Sequence, residues 1–136
     1  MFPYEKLRSA NVLATFTAIE LASTGRQKLF VFVSSTSALD TPHYVQLSDS
    51  LLNDPSGLNG VPEDDDLEGA RRGLKSGYGQ SKWVSEKLLF EAGRRGLRGH
   101  VVRPGYVVGD SKSAGKPLHM WIEYFFRRWL IVAFRK

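Results

Sequence analysis

The order of segments in this 136-residue sequence predicts an α/β fold, a partial parallel sheet with flanking helices. The short apolar segment "LFVFV" at residues 29–33 is typical of a strand buried on both faces. A second apolar strand is predicted where "GHVV" begins at residue 99. A segment with helical periodicity precedes each strand, and crossover helices in a parallel sheet produce this alternation.

The first predicted helix covers residues 4–24, and Gly25 favours its end there. Apolar residues recur in it at roughly helical spacing. They are Leu7, Val12, Phe16, Ile19 and Leu21. The second predicted helix covers residues 78–95, where Gly93 and Gly96 favour its end.

The segment between these two helix–strand units, residues 40–75, is predicted to be a long loop, because prolines, glycines and the pairs Asn53-Asp54 and Asn59-Gly60 punctuate it. Its acid run "EDDDLEG" at 63–69 is typical of a solvated loop or a helix start. A loop of this length inside a compact domain is usually functional or mobile.

The composition is that of an ordinary globular domain, with 42% hydrophobic and 24% charged residues. The absence of cysteine excludes disulfides and thiolate metal sites and fits a reducing compartment. The three histidines lack metal-ligand spacing, so no metal site is expected. A secretory signal and a run of about 18 apolar residues are both missing. We therefore expect a cytoplasmic protein.

The net charge of +5 is concentrated at one end of the chain. Residues 1–110 carry 13 Lys/Arg and 13 Asp/Glu, whereas residues 111–136 carry 6 Lys/Arg and 1 Glu. A neutral body with a basic end predicts no nucleic-acid partner. This end of the chain carries aromatic residues at i, i+4 spacing, namely Trp121, Phe125 and Trp129. A substituted tail or a core-packing helix is favoured over an amphipathic segment that contacts a membrane.

The stretch "GYGQSKWVSEKL" places Tyr78 and Lys82 one helical turn apart, where i and i+4 side chains share a face. An ammonium near a phenol favours the phenolate, and a tyrosine tuned in this way exchanges a proton with a carbonyl or hydroxyl. Alone, this spacing is weak evidence, because it occurs by chance on many surface helices.

Two further segments support a site around Tyr78. Hydroxyl residues follow the first strand at its carboxyl end, the place where ligands bind in open α/β sheets. They are Ser34, Ser35, Thr36 and Ser37. The second strand runs into a tight turn at Pro104-Gly105. The sequence therefore predicts that three segments converge at one edge of the sheet.

These segments, "NVLAT", "FVFVSSTS", "YGQSKWVSEKL" and "VVRPGYVVG", resemble the extended short-chain dehydrogenase/reductase superfamily. Over residues 3–114 the sequence is similar to the thioester-reductase domain of fungal L-2-aminoadipate reductases. The resemblance implies a Rossmann-like sheet, NADPH as cofactor, and reduction of a phosphopantetheine-bound thioester on a carrier domain to the aldehyde in lysine biosynthesis.

The resemblance also implies roles for individual residues. Thr36 corresponds to the hydroxyl that polarises the substrate carbonyl, with Ser34 as the alternative, and Tyr78 to the general acid. Lys82 corresponds to the residue that binds the nicotinamide ribose and lowers the tyrosine pKa. The residues expected to contact the cofactor are Ser34, Ser35, Tyr78, Lys82, Pro104 and Gly105. Asn11 corresponds to the helix asparagine of the superfamily.

The superfamily begins with a strand and a glycine-rich turn that hold the dinucleotide pyrophosphate, and neither is recognisable in this sequence. "GYGQSK" opens a helix without a preceding strand, so we do not interpret it as that turn. We expect residues 1–114 to be a partial reductase domain without its N-terminal strands, and residues 115–136 an atypical basic aromatic tail. The alternatives are a non-catalytic fragment that cannot bind cofactor alone, and another extended short-chain reductase such as a sugar-nucleotide epimerase.

Overall fold

The structure, a computed structural model, describes residues 2–26, 28–51, 61–105 and 132–133. The chain begins with one helical run made of α1 (Tyr4–Leu7), a π-helical segment (Arg8–Leu13) and α2 (Ala14–Ser23). The predicted first helix is thereby confirmed, but its π-helical segment was not predicted. Within that segment the Asn11 carbonyl accepts hydrogen bonds from the hydroxyls of Thr15, at 2.6 Å, and Ser85, at 3.1 Å. Side chains that bond into the helical ladder in this way accompany local distortions of a helix.

The two predicted strands pair in parallel. Strand β1 (Phe30–Val33) lies beside β2 (Gly99–Val102), in register from the Phe30–Gly99 pair to the Val33–Val102 pair. Helix α4 (Gly77–Arg94) precedes β2 and packs on it and on α2. A short strand, β3 (Val132–Ala133), pairs antiparallel with the other edge of β2. The described part of the chain therefore confirms the predicted α/β fold with a parallel pair of strands and flanking helices.

Only one face of β1 is covered by the described helices. Phe30 and Phe32 point to that face and pack with Val101 against Ile19 of α2 and Leu89 of α4. The other face carries Val31 and Val33, which are 41% and 50% exposed. The prediction that β1 is buried on both faces is therefore wrong, because both described helices of this cluster lie against the phenylalanine face.

Helix α3 (Pro42–Leu51) occupies the first part of the segment that was predicted to be a loop. Proline is favoured at the first position of a helix, because its missing N–H has no partner there in any case. Tyr44 anchors the helix in a second apolar cluster, where it is 3% exposed beside Leu67 and Ala70. The loop prediction for residues 42–51 was wrong because it read the proline as a breaker rather than as a helix start.

The two glycines at the start of α4 allow close approach of neighbouring backbones. A β-carbon on Gly77 would lie 2.4 Å from the backbone nitrogen of Tyr4, and one on Gly79 would lie 2.5 Å from the carbonyl oxygen of Ser37. Ser76 caps the helix, and its hydroxyl accepts the Gly79 N–H at 3.0 Å. These glycines are thus used for packing against the protein's own backbone.

We predict that Gly79→Ala destabilises the protein by about 1–2 kcal/mol, although alanine normally stabilises a helix relative to glycine. The reason is overpacking, since the new methyl group would meet the Ser37 carbonyl rather than solvent. Urea unfolding followed by circular dichroism measures the free energy of unfolding.

The matched control is Gly105→Ala, because a β-carbon there meets no atom within 4 Å. This variant should change the free energy of unfolding by less than about 0.5 kcal/mol. An unchanged or increased stability of Gly79→Ala would contradict the close approach of α4 to Ser37.

Candidate active site

The carboxyl ends of β1 and β2 and the start of α4 meet at one edge of the sheet. Just beyond the strands, the Ser34 N–H donates to the Val102 carbonyl at 2.7 Å, and the Thr36 N–H donates to the Pro104 carbonyl at 3.2 Å. Parallel strands bring their carboxyl ends together, so the segments that follow them are neighbours. The predicted convergence of the three segments is thereby confirmed.

The hydroxyl residues after β1 differ in what they offer at this edge. Thr36 opens a short 3₁₀ turn (Thr36–Leu39), is exposed, and has a hydroxyl without a hydrogen bond among the described residues. Ser35 is half-buried, and its hydroxyl caps that turn by accepting the Ser37 N–H at 3.1 Å. Thr36 is therefore the hydroxyl of this cluster that a ligand reaches most directly.

Ser34 faces the interior of the protein. Its side chain is 2% exposed, and its hydroxyl donates to the carboxylate of Glu86. That engagement removes the Ser34 hydroxyl from the edge, so Thr36 fits the carbonyl-polarising role better than this alternative does. The expectation that Ser34 contacts a cofactor stays a prediction.

Tyr78 and Lys82 lie on one face of α4, both half-buried. The Lys82 ammonium donates to the Val33 carbonyl at 2.9 Å, which fixes the side chain against the end of β1. Its nitrogen lies 5.7 Å from the centre of the Tyr78 ring and 5.0 Å from the centre of the Phe32 ring. The proximity predicted from the spacing of Tyr78 and Lys82 is confirmed.

Burial lowers the pKa of Lys82 below its ordinary value of 10.5, while the negative charge of Glu86 acts in the opposite direction. Desolvation disfavours the charged form of an amine, and a nearby carboxylate favours it. The Lys82 ammonium and the Tyr78 phenol therefore lie together at the sheet edge.

Glu86 and Arg103 form a buried ion pair behind these residues. Their side chains are 0% and 10% exposed, and the Arg103 guanidinium approaches Glu86 Oε2 through Nε at 2.9 Å and Nη2 at 2.8 Å. The sequence reasoning missed this pair. A usable signal was present, because Glu86 follows Lys82 by one turn and Arg103 directly precedes the Pro104-Gly105 turn.

Asn11 ties the N-terminal helical run to α4. Its side-chain amide donates to the Ser81 hydroxyl at 2.9 Å, and Ser81 is fully buried between Gln80 and Lys82. This contact joins the N-terminal helical run to the first turns of α4. The correspondence of Asn11 to the asparagine of the superfamily stays a prediction.

The acid run packs against the second cluster instead of being wholly solvated. Asp65 accepts hydrogen bonds from the Tyr44 hydroxyl at 2.5 Å and from the Leu67 N–H at 2.7 Å. The Trp83 indole donates to the Leu67 carbonyl at 2.8 Å, so this segment is fastened to α4. Burial and the Asp65 carboxylate raise the pKa of Tyr44, which keeps its phenol protonated. The segment therefore packs against the face of α4 that carries Trp83.

Within the described ranges, no group of three histidine, cysteine, aspartate or glutamate side chains is placed to hold a metal ion. The same part of the chain contains no helix that is both long and apolar enough to cross a membrane. The predicted tail at residues 115–136 lies outside the described residues, apart from the backbone of 132–133.

The profile of the NAD-binding family described as male sterility protein matches residues 1–130. The chain belongs to this family. Its members are NAD-binding oxidoreductase domains, which supports a nicotinamide cofactor for this chain.

Two relatives of this chain are named as L-2-aminoadipate reductases. The chain is 52% identical over 127 residues to the L-2-aminoadipate reductase large subunit of Eremothecium gossypii, with 93% of this chain and 9% of the relative covered. It is 52% identical over 113 residues to the L-2-aminoadipate reductase of Saccharomyces cerevisiae, with 83% and 8% covered. The chain thus spans about a tenth of the length of these relatives.

A solved structure supports the same assignment. The terminal R domain from the myxalamid PKS-NRPS biosynthetic pathway aligns with a TM-score of 0.63 and 41% identity, covering 82% of this chain and 25% of that domain. The resemblance to fungal aminoadipate reductases and the Rossmann-like fold expected from the sequence are both confirmed.

The lowered pKa of Lys82 predicts a pH-dependent difference in stability between the wild type and Lys82→Met. Between the lowered folded pKa and 10.5, the unfolded chain holds more protons on this residue than the folded chain. The free energy of unfolding of the wild type, relative to the variant, should therefore rise with pH through this window and level off above it. The slope must stay below about 1.4 kcal/mol per pH unit, the limit for one proton.

Urea unfolding at pH values from about 8 to 11 measures this difference. Tyr44 and other titrating groups are common to both proteins and cancel. Arg94→Met is the control, because guanidinium groups do not titrate in this range, and its difference from the wild type should be flat. A flat or falling difference for Lys82→Met would show that the ammonium is not desolvated.

Proposed function

We propose that this chain carries the reducing centre of an NADPH-dependent thioester reductase. Its substrate is an acyl group, L-2-aminoadipyl in the first instance, bound through a phosphopantetheine arm to a carrier domain, and its product is the aldehyde. The observation that carries the proposal is the position of Lys82, whose ammonium lies between the Val33 carbonyl and the Tyr78 ring at the carboxyl edge of the sheet.

The residues at this edge fit a nicotinamide cofactor and a carbonyl substrate. Thr36 is exposed and its hydroxyl is unbonded among described residues, and a β-carbon on Gly105 would meet no atom within 4 Å. Among the described residues, the turn at Pro104-Gly105 therefore leaves space beside Thr36, whose N–H donates to the Pro104 carbonyl. When bound, the nicotinamide supplies the hydride, and the protein supplies placement.

In the proposed mechanism, the hydroxyls of Thr36 and Tyr78 donate hydrogen bonds to the thioester carbonyl oxygen and stabilise the negative charge that develops on it. Tyr78 delivers the proton, and Lys82 would hold the nicotinamide ribose when the cofactor is bound. The hemithioacetal then collapses to the aldehyde and the carrier thiol. Ser35, Pro104 and Gly105 border the cofactor.

The choice of substrate rests on the relatives. Two of them are named L-2-aminoadipate reductases at 52% identity, and the solved R domain belongs to a PKS-NRPS pathway. Another relative, 40% identical over 111 residues, is the nonribosomal peptide synthetase asaC of Aspergillus flavus. These names favour a carrier-bound thioester over a sugar nucleotide. In line with them, we propose a role in lysine biosynthesis and a cytoplasmic location.

A second candidate is a fragment that does not bind the cofactor by itself. One observation favours it: the glycines that open α4 are occupied by packing against Tyr4 and Ser37, so within the described ranges they offer no cradle for a pyrophosphate. Titration calorimetry of the chain with NADPH separates the two candidates. A dissociation constant above about 1 mM would assign the chain to the second.

We predict that Tyr78→Phe lowers the rate of aldehyde formation by a factor of about 10²–10⁴ and leaves the dissociation constant of NADPH within about twofold. The phenylalanine keeps the ring against Lys82 but removes the proton. The assay follows NADPH oxidation and aldehyde trapping with aminoadipyl-phosphopantetheine thioester.

Tyr4→Phe is the matched control, because it makes the same chemical change on α1, at a side chain that the proposed mechanism does not use. It should retain the wild-type rate. Turnover by Tyr78→Phe at the wild-type rate would refute the assignment of the general acid.

A further inference from the structure

Glu86 is a fully buried carboxylate for which the proposed chemistry has no direct use. Tyr78, Lys82 and Glu86 follow one another at intervals of four residues, so they lie along one face of α4. Glu86 is one turn deeper than Lys82 and is 0% exposed, whereas Lys82 is half-buried. A carboxylate at such a depth is stable only when its oxygens are bonded.

The partners of Glu86 come from the ends of both strands. Oε1 accepts the Ser34 hydroxyl, one residue past β1, and also the Arg103 Nε at 3.1 Å. Oε2 accepts Arg103 Nε at 2.9 Å and Nη2 at 2.8 Å, and Arg103 is one residue past β2. A single side chain of α4 therefore binds the residue that follows each strand.

Both partners are adjacent in sequence to residues whose carbonyls lie at the sheet edge. Ser34 follows Val33, whose carbonyl accepts the Lys82 ammonium. Arg103 precedes Pro104, whose carbonyl accepts the Thr36 N–H. The carboxylate is thus bonded to the chain neighbours of both residues whose carbonyls hold Lys82 and Thr36.

We propose that Glu86 is a positioning residue that fixes the ends of β1 and β2 against α4 and so holds Lys82 and Thr36 in place. The inference deepens the proposed function and rests on it for its consequence in turnover. Its tests use the 136-residue chain without cofactor or substrate, so that they remain decisive if the proposed function fails.

The first test is Glu86→Gln, which keeps the shape of the side chain and removes its charge. The charged group that faces Glu86 from outside α4 is Arg103, directly after β2, and Tyr78 on the same helix is the titratable group beside Lys82; the end of β1 contributes the Val33 carbonyl and the Ser34 hydroxyl. Losing the carboxylate should lower the pKa of Lys82 by at least about half a unit. The readout is the side-chain carbon resonance of Lys82 during an NMR titration.

Glu91→Gln is the matched control, since it makes the same change on the same helix at an exposed site that pairs with Arg94 and Arg95. The Lys82 titration should stay as in the wild type there. An unchanged Lys82 titration in Glu86→Gln would overturn the proposal, whereas a loss of stability alone would not support it.

The second test is Ser34→Ala, which keeps the Glu86–Arg103 ion pair and is expected to fold even if Glu86→Gln does not. Breaking the contact with β1 should raise amide exchange at Thr36 by about tenfold, the effect of about one lost hydrogen bond. Exchange at Val101, inside the core, should not change. Equal increases at Thr36 and Val101, or none at Thr36, would overturn the positioning role.

Proposed function and positioning role fail in different ways. If Glu86→Gln shifts the Lys82 titration but the wild type forms no aldehyde, the positioning role stands and the proposed function is refuted. If the wild type forms the aldehyde but Glu86→Gln does not change the Lys82 titration, the proposed function stands and the positioning role is refuted.

Discussion

The parallel pairing of β1 with β2 is the constraint on which the rest of this structure depends. In a parallel pair both carboxyl ends lie at the same edge, and the register from Phe30–Gly99 to Val33–Val102 leaves both strands ending level. The Ser34 and Thr36 amides then reach the carbonyls of Val102 and Pro104 across this edge. A shift of the register by one residue would turn Phe30 and Phe32 away from the core and separate the two turns. The geometry of the candidate site therefore depends on the backbone pairing of β1 with β2.

Polar groups beneath this edge orient the side chains of the candidate site, which apolar packing alone does not do. Phe32 and Leu89 fill the space between sheet and helix but impose no direction on the side chains nearby. The Glu86–Arg103 pair and the Lys82–Val33 contact are directional, and each would be costly if one partner were lost. Lys82 keeps its ammonium in a half-buried place because a carbonyl oxygen, two aromatic rings and a carboxylate one turn away surround it.

The sequence allowed the prediction of what local pattern controls. Both strands, the long helix from residue 77 to residue 94 and the approach of Lys82 to Tyr78 follow from periodicity and spacing. Contacts between distant parts of the chain could not be read in this way. Ser34 and Glu86 are 52 residues apart, and no local rule says that a serine after a strand faces an acid on a later helix. The exposure of Val31 could not be read either, since an apolar run looks the same whether one face or two are covered.

The open face of β1 has a consequence for how this polypeptide behaves in concentrated solution. Strand β1 forms one end of the described sheet, its sequence "FVFV" is uncharged and favours extended structure, and Leu29 before it is 62% exposed. Such a segment has the composition of strands that pair edge to edge with copies of themselves. Val31 faces away from the phenylalanines that build the core, so a lysine in its place would act as a gatekeeper against edge-to-edge pairing without altering that core.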